Sequence, residues 1–156
     1  MNALAEAVVR RAAAAGRTLA TAESCTGGLI AAALTDVPGS SAVFTHGVVA
    51  YANEAKTGLL GVDPQLIARH GAVSAEVAAA MAAGMTRLSG ADAAVSVTGI
   101  AGPGGGSAGK PVGLVWFGLA ASGQVRTERR VFVGGGRAYV RDRAVRTALT
   151  LLSNAV

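Results

Sequence analysis

The length and composition of the chain predict one domain without a membrane span. The chain has 156 residues, of which 51% are hydrophobic and 15% are charged, and its net charge is +5. A chain of this size buries roughly 68–70% of its unfolded surface in a single core, so we expect one domain over residues 1–156. Most apolar residues are Ala and Val in short runs broken by Gly, and no run reaches the roughly 18 residues that a membrane helix needs.

The charge and the cysteine content bear on the expected partners and on the expected cellular compartment. The positive charge would attract phosphate, but no zinc-finger, helix-turn-helix or aromatic-basic RNA-binding pattern is present, so nucleic acid is not the expected partner. A single cysteine cannot form an internal disulfide, which agrees with a reducing compartment. In the N-terminal segment the arginines follow the apolar stretch, which is not the order of a signal peptide. We therefore expect a soluble, cytoplasmic protein.

The first half of the chain predicts alternating helices and strands. Apolar residues at helical spacing give an amphipathic N-terminal helix. The next predicted elements are a strand at 18–22, a helix at 26–35 and a strand at 42–51. Asn53 is the predicted N-cap of a short helix, Asp63 followed by Pro64 starts another, and Ser74 caps a third. The buried stripe of this third helix is predicted at Val77, Met81, Met85 and Leu88.

The second half predicts a buried strand, a glycine loop, a hairpin and a last helix. The predicted bounds are 92–100 for the strand, 112–121 and 125–133 for the arms of the hairpin, and 137–153 for the helix. Strands interleaved with helices indicate an α/β fold with a mixed, mostly parallel sheet between helical layers and a C-terminal hairpin. Ser24, Tyr51 and Thr98 fall at the ends of three predicted strands. Because ligands bind beyond such ends, these residues are expected to face one cleft.

The segment TAESCTGG at 21–28 places Ser24 where a strand turns into a helix. Free backbone N–H groups and the positive end of a helix dipole lie at such a corner, which suits a nucleophile for acyl transfer. The alternative role of Ser24 is a helix N-cap. The adjacent Glu23 could hold a lysine or a substrate amide. Its alternative role is a surface carboxylate or an acidic group at the helix start.

The segment YANEAK at 51–56 offers Lys56 as the base that a nucleophilic serine requires. Burial or nearby positive potential can lower the pKa of a lysine enough for this role, and the first turn of a helix disfavours a cation. Tyr51 could relay a proton or fix the lysine by a hydrogen bond. The alternative for Lys56 is a solvated surface cation. Together the two segments predict hydrolysis by a serine and a lysine.

The remaining reactive residues favour neither cysteine nor metal chemistry. A nucleophilic cysteine usually needs a histidine, but His46 and His70 lie in ordinary strand and helix-end contexts, so Cys25 is not the expected nucleophile. Two histidines, one cysteine and scattered carboxylates show no metal-ligand spacing. Neither a metal nor an organic cofactor is predicted.

The glycine loop and two arginines are candidates for binding an anion. Residues 104–110 have the spacing of a phosphate-binding P-loop, but Pro111 replaces the required Ser or Thr and a strand follows, so ATP binding is not expected. The glycines either form a concave nest of N–H groups or a flexible surface loop. Arg137 and Arg141 share one face of the last helix, where they either bind a phosphate or remain solvated.

Six motifs in matching order resemble the C-terminal domain family of the competence/damage-inducible protein CinA. The similarity runs over almost the whole chain. The stand-alone members of this family are nicotinamide-nucleotide amidases, so the resemblance implies hydrolysis of nicotinamide mononucleotide to nicotinate mononucleotide and ammonia in pyridine-nucleotide salvage. It also implies a three-layer α/β/α fold and a homodimer. The motifs are TAESCTGG, GSSAVF, YANEAK, HGAVS, VSVTGIAGPGGGS and KPVGLVWF.

Matched by motif, the resemblance implies individual roles. Ser24 is the nucleophile, Lys56 its base and Tyr51 the third catalytic residue. Backbone N–H groups of the 25–28 turn are expected to hold the oxyanion. The ribose phosphate is expected to bind to the arginines and the glycine loop. The expected substrate-binding residues are Glu23, Cys25, Thr26, Gly27, Thr98, Gly99, Gly102, Arg137 and Arg141.

The sequence departs from the family in two places, and two other functions stay open beside the amidase. The loop reads GGGSAGK where relatives often carry an acidic residue, and the larger N-terminal domain of full-length CinA is absent from this sequence, so no activity of that half is expected. The alternatives are a catalytically silent nucleotide-binding module and a DNA-damage or competence-associated module. The latter would bind duplex DNA in a strongly salt-dependent manner.

Overall fold

The structure is a computed structural model that describes residues 1–156. Its helices are α1 Asn2–Ala15, α2 Leu29–Thr35, α3 Asn53–Leu60, α4 Pro64–His70, α5 Ala75–Ser89 and α6 Gly136–Ala155. Its strands are β1 Leu19–Glu23, β2 Phe44–Val49, β3 Ala93–Gly99, β4 Leu114–Ala121 and β5 Gln124–Val131. A short 3-10 helix, Ser40–Ala42, precedes β2. None of the helices combines the length and apolar character that crossing a membrane requires.

One five-stranded sheet in the order β2-β1-β3-β4-β5 organises the chain. β1 pairs in parallel with β2 and with β3, whereas the β3–β4 and β4–β5 pairs are antiparallel. Parallel strands end at the same edge of a sheet, so the segments after β1, β2 and β3 open side by side. Ser24 and Tyr51 lie in two of these segments, and Thr98 lies near the end of β3. The predicted convergence of three strand ends is therefore present.

Helices cover both faces of the sheet and divide the core into two parts. On one face, α1, α2 and α6 pack against large strand residues such as Leu19, Val95 and Phe117. On the other face, α3, α4 and α5 pack against small strand residues, Ala20, Ala22 and Ala94. The small residues let the helices on that face lie close to the sheet, and this layer includes the helix that carries Lys56.

Two glycines allow α5 to approach its neighbours closely. A Cβ atom at Gly118 of β4 would lie 2.3 Å from the carbonyl oxygen of Ala78 on α5. A Cβ atom at Gly84 of α5 would lie 1.9 Å from the carbonyl oxygen of Leu60, the last residue of α3. Neither distance is possible for a real side chain, so α5 rests directly on backbone atoms of β4 and α3. This contact fixes the position of α3.

Most elements agree with the sequence-based predictions. The α/β class, the mixed sheet between helical layers and the C-terminal hairpin are confirmed. The predicted N-caps Asp63 and Ser74 accept hydrogen bonds from the N–H groups of Gln65 and Val77.

Four local predictions were wrong. The helix expected from Thr26 begins at Leu29, because Gly27 and Gly28 have positive φ angles of 59° and 98° and form a turn. Asn53 is the first residue of α3 and Ala52 is its N-cap, without a capping side chain. Leu88 is exposed, unlike the rest of its stripe. Gln124 pairs with Ala121 instead of belonging to the hairpin loop, because two residues with positive φ suffice for the turn.

We expect Gly84→Ala to lower the free energy of unfolding by about 1–3 kcal/mol, since the new methyl group forces α3 and α5 apart. Gly58→Ala is the matched control: it also lies in a helix, but its added Cβ meets no atom within 4 Å. This control is expected to stabilise the protein by about 0.5–1 kcal/mol through its higher helix propensity. Urea denaturation followed by circular dichroism measures both. Equal effects of the two substitutions would contradict the close α3–α5 contact.

Candidate active site

A tight corner at the end of β1 positions Ser24. The Ser24 N–H donates to the carbonyl oxygen of Val97 at 3.0 Å and so extends the β1–β3 pairing by one residue. Gly27 and Gly28 then turn the chain into α2. The buried carboxylate of Glu23 accepts hydrogen bonds from the first N–H groups of this helix, at Gly28 (3.2 Å), Ile30 (3.0 Å) and Ala31 (3.0 Å).

Lys56 extends from the first turn of α3 into the protein, where it is only 1% exposed. Its Nζ atom lies 3.0 Å from Ser24 Oγ and 3.1 Å from each of two carbonyl oxygens, those of Ala50 and Tyr51. Ala50 in turn donates its N–H to the carbonyl oxygen of Glu23 at 2.8 Å. The amine is therefore anchored to the strand end beside the one that carries the serine, and the predicted pairing of Ser24 with Lys56 is present in the structure.

The surroundings of Lys56 favour its neutral form. Burial lowers the pKa of Lys56 below its usual value of 10.5, and no carboxylate lies within ion-pair distance of it. A neutral amine has two hydrogens and one lone pair. When the two hydrogens bind the carbonyl oxygens of Ala50 and Tyr51, the lone pair faces the hydroxyl of Ser24. This is the orientation that a general base for Ser24 requires.

The neighbouring thiol is poorly suited to act as the nucleophile. Burial raises the pKa of Cys25 to about 11, with smaller opposing contributions that include the positive charge of Arg141. The thiol is therefore protonated near neutral pH, and the thiolate is the reactive form of cysteine. The expectation that Cys25 is not the nucleophile agrees with this chemistry.

The turn after Ser24 contains two backbone donors without an acceptor. The Gly27 N–H donates to the Ser24 carbonyl oxygen at 3.0 Å, and the Gly28 N–H is bound to Glu23. The N–H groups of Cys25 and Thr26 donate to no atom of the chain. Both residues are buried, and buried N–H groups rarely remain unpaired. Only the first two N–H groups of the predicted 25–28 donor set are therefore free to bind an oxyanion.

A cavity of about 300 Å³ opens at this edge of the sheet and contains most of the predicted site residues. Its lining includes Lys56 and Arg137 but no acidic residue, so the cavity suits an anionic ligand. The predicted residues that line it are Ser24, Cys25, Tyr51, Lys56, Thr98, Gly99, Gly102 and Arg137.

Four expected substrate-binding residues do not line the cavity: Glu23, Thr26, Gly27 and Arg141. The expectation that Glu23 holds the lysine or a substrate amide is corrected, because its carboxylate binds N–H groups at the start of α2. The side chain of Thr26 is fully buried, and its Oγ1 atom has no hydrogen-bond partner. The Gly27 N–H is used within the turn. Arg141 binds the carbonyl oxygens of Cys25 (3.0 Å) and Thr26 (3.3 Å).

The structure gives Tyr51 two contacts that differ from the expected one. Its backbone carbonyl, not its phenol, holds the Lys56 amine. Its phenol oxygen accepts a hydrogen bond from Arg137 Nη2 at 3.1 Å, and the side chain is 60% exposed. Arg137 also donates to the carbonyl oxygen of Gly102 at 2.9 Å. Tyr51 and Arg137 thus form one wall of the cavity together with the glycine loop.

The glycine loop is held in place from both of its ends. Thr98 Oγ1 donates to the carbonyl oxygen of Ala72 at 2.8 Å, which ties β3 to the segment before α5. Lys110 Nζ binds the carbonyl oxygen of His70 at the end of α4. Between these ties, Gly104 and Gly105 line the cavity. This part of the loop is therefore a wall of the site.

The sequence analysis missed several lining residues. Asn53 lines the cavity, although it was expected to cap a helix. The sequence signal for this role was its position in the YANEAK motif, two residues after Tyr51. Ala72 and Val73 also line the cavity, and they belong to the HGAVS motif, whose apolar side chains gave no chemical signal. No three His, Cys, Asp or Glu residues lie close enough together to bind a metal ion.

Comparison with known proteins identifies the family. The sequence pattern of the CinA C-terminal domain matches residues 1–156. The chain belongs to the CinA C-terminal domain family. A CinA-like protein of Mycolicibacterium gilvum is 57% identical over 142 residues, which make up 91% of this chain and 34% of that protein. A putative competence-damage inducible protein of Moorella thermoacetica is 53% identical, over 86% of this chain and 32% of that protein. The chain spans about one third of the length of these CinA relatives.

Solved CinA structures have the same fold. The competence/damage inducible protein CihA from Agrobacterium tumefaciens has a TM-score of 0.96 and 47% sequence identity, over 99% of this chain and 94% of that chain. A CinA superfamily protein from Klebsiella pneumoniae has a TM-score of 0.94 and 41% identity, over 98% of this chain and 95% of that chain. The predicted family and the predicted fold class are confirmed.

We expect the reactivity of Ser24 to rise with pH as Lys56 loses its proton. Since the pKa of Lys56 is lowered by burial, the rise should be complete below the pH at which an exposed lysine titrates, about 10.4. The rate of Ser24 labelling by a fluorophosphonate, followed by intact mass from about pH 6 to about pH 10, measures this dependence. Lys56→Met should remove both the rise and most of the labelling. Labelling of Lys56→Met at the wild-type rate across this pH range would exclude Lys56 as the base.

Proposed function

We propose that the chain is a nicotinamide-nucleotide amidase that hydrolyses nicotinamide mononucleotide to nicotinate mononucleotide and ammonia. The observation that supports this most is the 3.0 Å contact between Lys56 Nζ and Ser24 Oγ in a buried, carboxylate-free setting. A serine with a neutral amine at this distance is the machinery of acyl transfer. Membership of the CinA C-terminal domain family agrees with the proposal.

In the first half of the proposed reaction, Ser24 is acylated. Lys56 takes the hydroxyl proton while Ser24 Oγ attacks the carboxamide carbon. The negative charge that develops on the carboxamide oxygen is stabilised by the N–H groups of Cys25 and Thr26, which have no other acceptor. When the tetrahedral intermediate collapses, the C–N bond breaks, and the Lys56 ammonium gives its proton to the departing ammonia. An acyl-enzyme on Ser24 remains.

In the second half, water releases the product. Lys56 is neutral again and takes a proton from a water molecule as that water attacks the acyl carbon. The same two N–H groups stabilise the second oxyanion. Collapse then breaks the ester bond, the proton returns from Lys56 to Ser24 Oγ, and nicotinate mononucleotide leaves. No step needs a metal ion or an organic cofactor.

The cavity matches the charge of a nucleotide substrate. A ribose phosphate is an anion, and the cavity contains Arg137 and backbone of the glycine loop but no acidic side chain. Its volume of about 300 Å³ is at the lower end of the range for small-molecule sites. The phenol of Tyr51 is bound to Arg137. We therefore assign Tyr51 to substrate binding and not, as first expected, to proton transfer.

We expect Ser24→Ala to reduce ammonia release from nicotinamide mononucleotide by roughly 10⁴-fold or more, because no other hydroxyl or thiol that lines the cavity has a base within hydrogen-bond distance. A coupled ammonia assay on the purified chain measures this, and circular dichroism checks that the variant is folded. Undiminished turnover by the variant would refute the assigned nucleophile.

If the wild-type chain releases no ammonia but binds the nucleotide, the silent binding module is correct instead. Salt-dependent binding to duplex DNA without amidase activity would favour the DNA-associated module.

We expect Arg137→Met to weaken the binding of phosphorylated substrate selectively. A charge-assisted contact to a phosphate contributes about 1.5–3 kcal/mol, so KM for nicotinamide mononucleotide should rise about 10- to 100-fold. The activity on nicotinamide riboside, which lacks the phosphate, is the control and should change little. Steady-state kinetics on the two substrates measure the difference. An equal loss on both would show that Arg137 does not bind the phosphate.

The predicted homodimer and the predicted cytoplasmic location stay predictions. So does the choice of nicotinamide mononucleotide among pyridine nucleotides, and the ammonia assay tests this choice directly.

A further inference from the structure

Arg141 lies outside the cavity lining but contacts the turn that contains the two free N–H groups. It projects from α6, and its Nε atom donates to the carbonyl oxygen of Cys25 at 3.0 Å. Its Nη2 atom donates to the carbonyl oxygen of Thr26 at 3.3 Å. One side chain from a distant part of the sequence thus holds the carbonyl groups of the first two residues after Ser24.

The charge of Arg141 is not paired with an acid. The ion pairs of the chain are His70–Glu76, Arg130–Glu128 and Arg146–Asp142, and none of them includes Arg141. The guanidinium also packs against Gly27, where an added Cβ atom would lie 3.3 Å from Nη2. A larger residue at position 27 would push the guanidinium away from the turn. The local sequence therefore leaves space for this cation beside the peptide groups.

The hydrogen bonds of the turn determine which way each peptide group faces. In a trans peptide the C=O and the following N–H point in opposite directions. The Ser24 carbonyl is bound by the Gly27 N–H, which leaves the Cys25 N–H pointing away from it. The Cys25 carbonyl is bound by Arg141, which leaves the Thr26 N–H pointing away from the guanidinium. The direction of each free N–H group is thus set by the donor that binds the carbonyl oxygen of the same peptide.

We propose that Arg141 is a positioning residue of the oxyanion site, which acts through the peptide groups and does not contact the substrate. It fixes the Cys25–Thr26 peptide plane, and its positive charge on the carbonyl oxygen makes the Thr26 N–H a stronger donor. This inference rests on the proposed amidase chemistry at Ser24. It replaces the expectation that Arg141 binds substrate directly.

The two roles of Arg141 predict different kinetic effects. A residue that binds the ribose phosphate contacts substrate, transition state and product alike, so its loss raises KM and weakens product binding. A residue that aligns oxyanion donors acts only when charge develops on the oxygen, so its loss lowers kcat. The split between kcat and KM therefore separates a positioning role from a binding role.

The test uses Arg141→Met, which keeps an unbranched apolar stem out to the position of Nε but has none of the donors of the guanidinium. Arg143→Met is the matched control, since Arg143 lies on the same helix beside the Tyr139 ring and its side chain makes no hydrogen bond or ion pair. For Arg141→Met we expect kcat on nicotinamide mononucleotide to fall about 10- to 100-fold, less than the roughly 10²- to 10³-fold loss for removing an oxyanion donor itself. KM and the affinity for nicotinate mononucleotide, measured by calorimetry, should stay within about twofold of wild type, and Arg143→Met should match wild type throughout.

A second readout does not depend on amidase activity. In fluorophosphonate labelling, Ser24 Oγ forms a bond to phosphorus, fluoride leaves, and the hydroxyl proton passes to Lys56. The phosphoryl oxygen occupies the oxyanion site, so Arg141→Met should slow labelling by about the same factor as it lowers kcat. If wild type labels in this way but releases no ammonia, the proposed substrate is wrong while the role of Arg141 stands.

Three results would overturn the inference: unchanged kcat and labelling in Arg141→Met, a loss of product affinity with kcat unchanged, or equal losses in Arg143→Met. If Arg141→Met does not fold, Arg141→Lys decides the question. Its ammonium keeps the charge but lacks the fixed fork with which Nε and Nη2 bind the two carbonyl oxygens, so kcat should fall severalfold with KM unchanged. An Arg141→Lys variant with wild-type kcat, or with only KM raised, would also refute the positioning role.

Discussion

The site depends on one buried amine that is held by three oxygen atoms. Lys56 is taken out of water and given two backbone carbonyls and one hydroxyl as neighbours, with no carboxylate to keep it charged. Burial alone would make a lysine neutral without giving its lone pair a direction. Here the two carbonyl oxygens occupy the hydrogens of the neutral amine, so its lone pair can only face Ser24. Burial lowers the pKa of the amine, and the two carbonyl contacts give it its direction.

This arrangement requires α3 to lie at a fixed distance from the strand ends. The absence of a side chain at Gly84 allows α5 to rest on the carbonyl of Leu60, at the far end of α3. Small residues in β1 and β3 let the same helical layer lie close to the sheet. On the side of Ser24, Glu23 binds the start of α2 and Arg141 binds the carbonyls of the turn. Contacts from both helical layers thus fix the positions of the atoms around Ser24.

The sequence predicted the class of fold and the pairing of Ser24 with Lys56, because each rested on a local pattern or a matched motif. The sequence could not predict which groups each side chain contacts. Glu23 could be read as a ligand or as a helix-start acid, and only the position of α2 shows that its oxygens are used by the helix. Arg137 and Arg141 share a helix face, but one reaches the cavity and the other the turn beneath it. That difference depends on packing between α6 and residues over a hundred positions away.

The amine is held by the main chain of residues 50 and 51, and this has a consequence for sequence variation. A carbonyl oxygen is present whatever side chain its residue carries, so Ala50 can be exchanged for other residues that fit the core without loss of its contact to Lys56. The number of residues between the end of β2 and Lys56 has no such freedom. Inserting or deleting one of them within α3 would rotate the lysine by about 100° around the helix axis and remove it from both carbonyls. At this position natural selection should therefore act on the length of the connection before it acts on its composition.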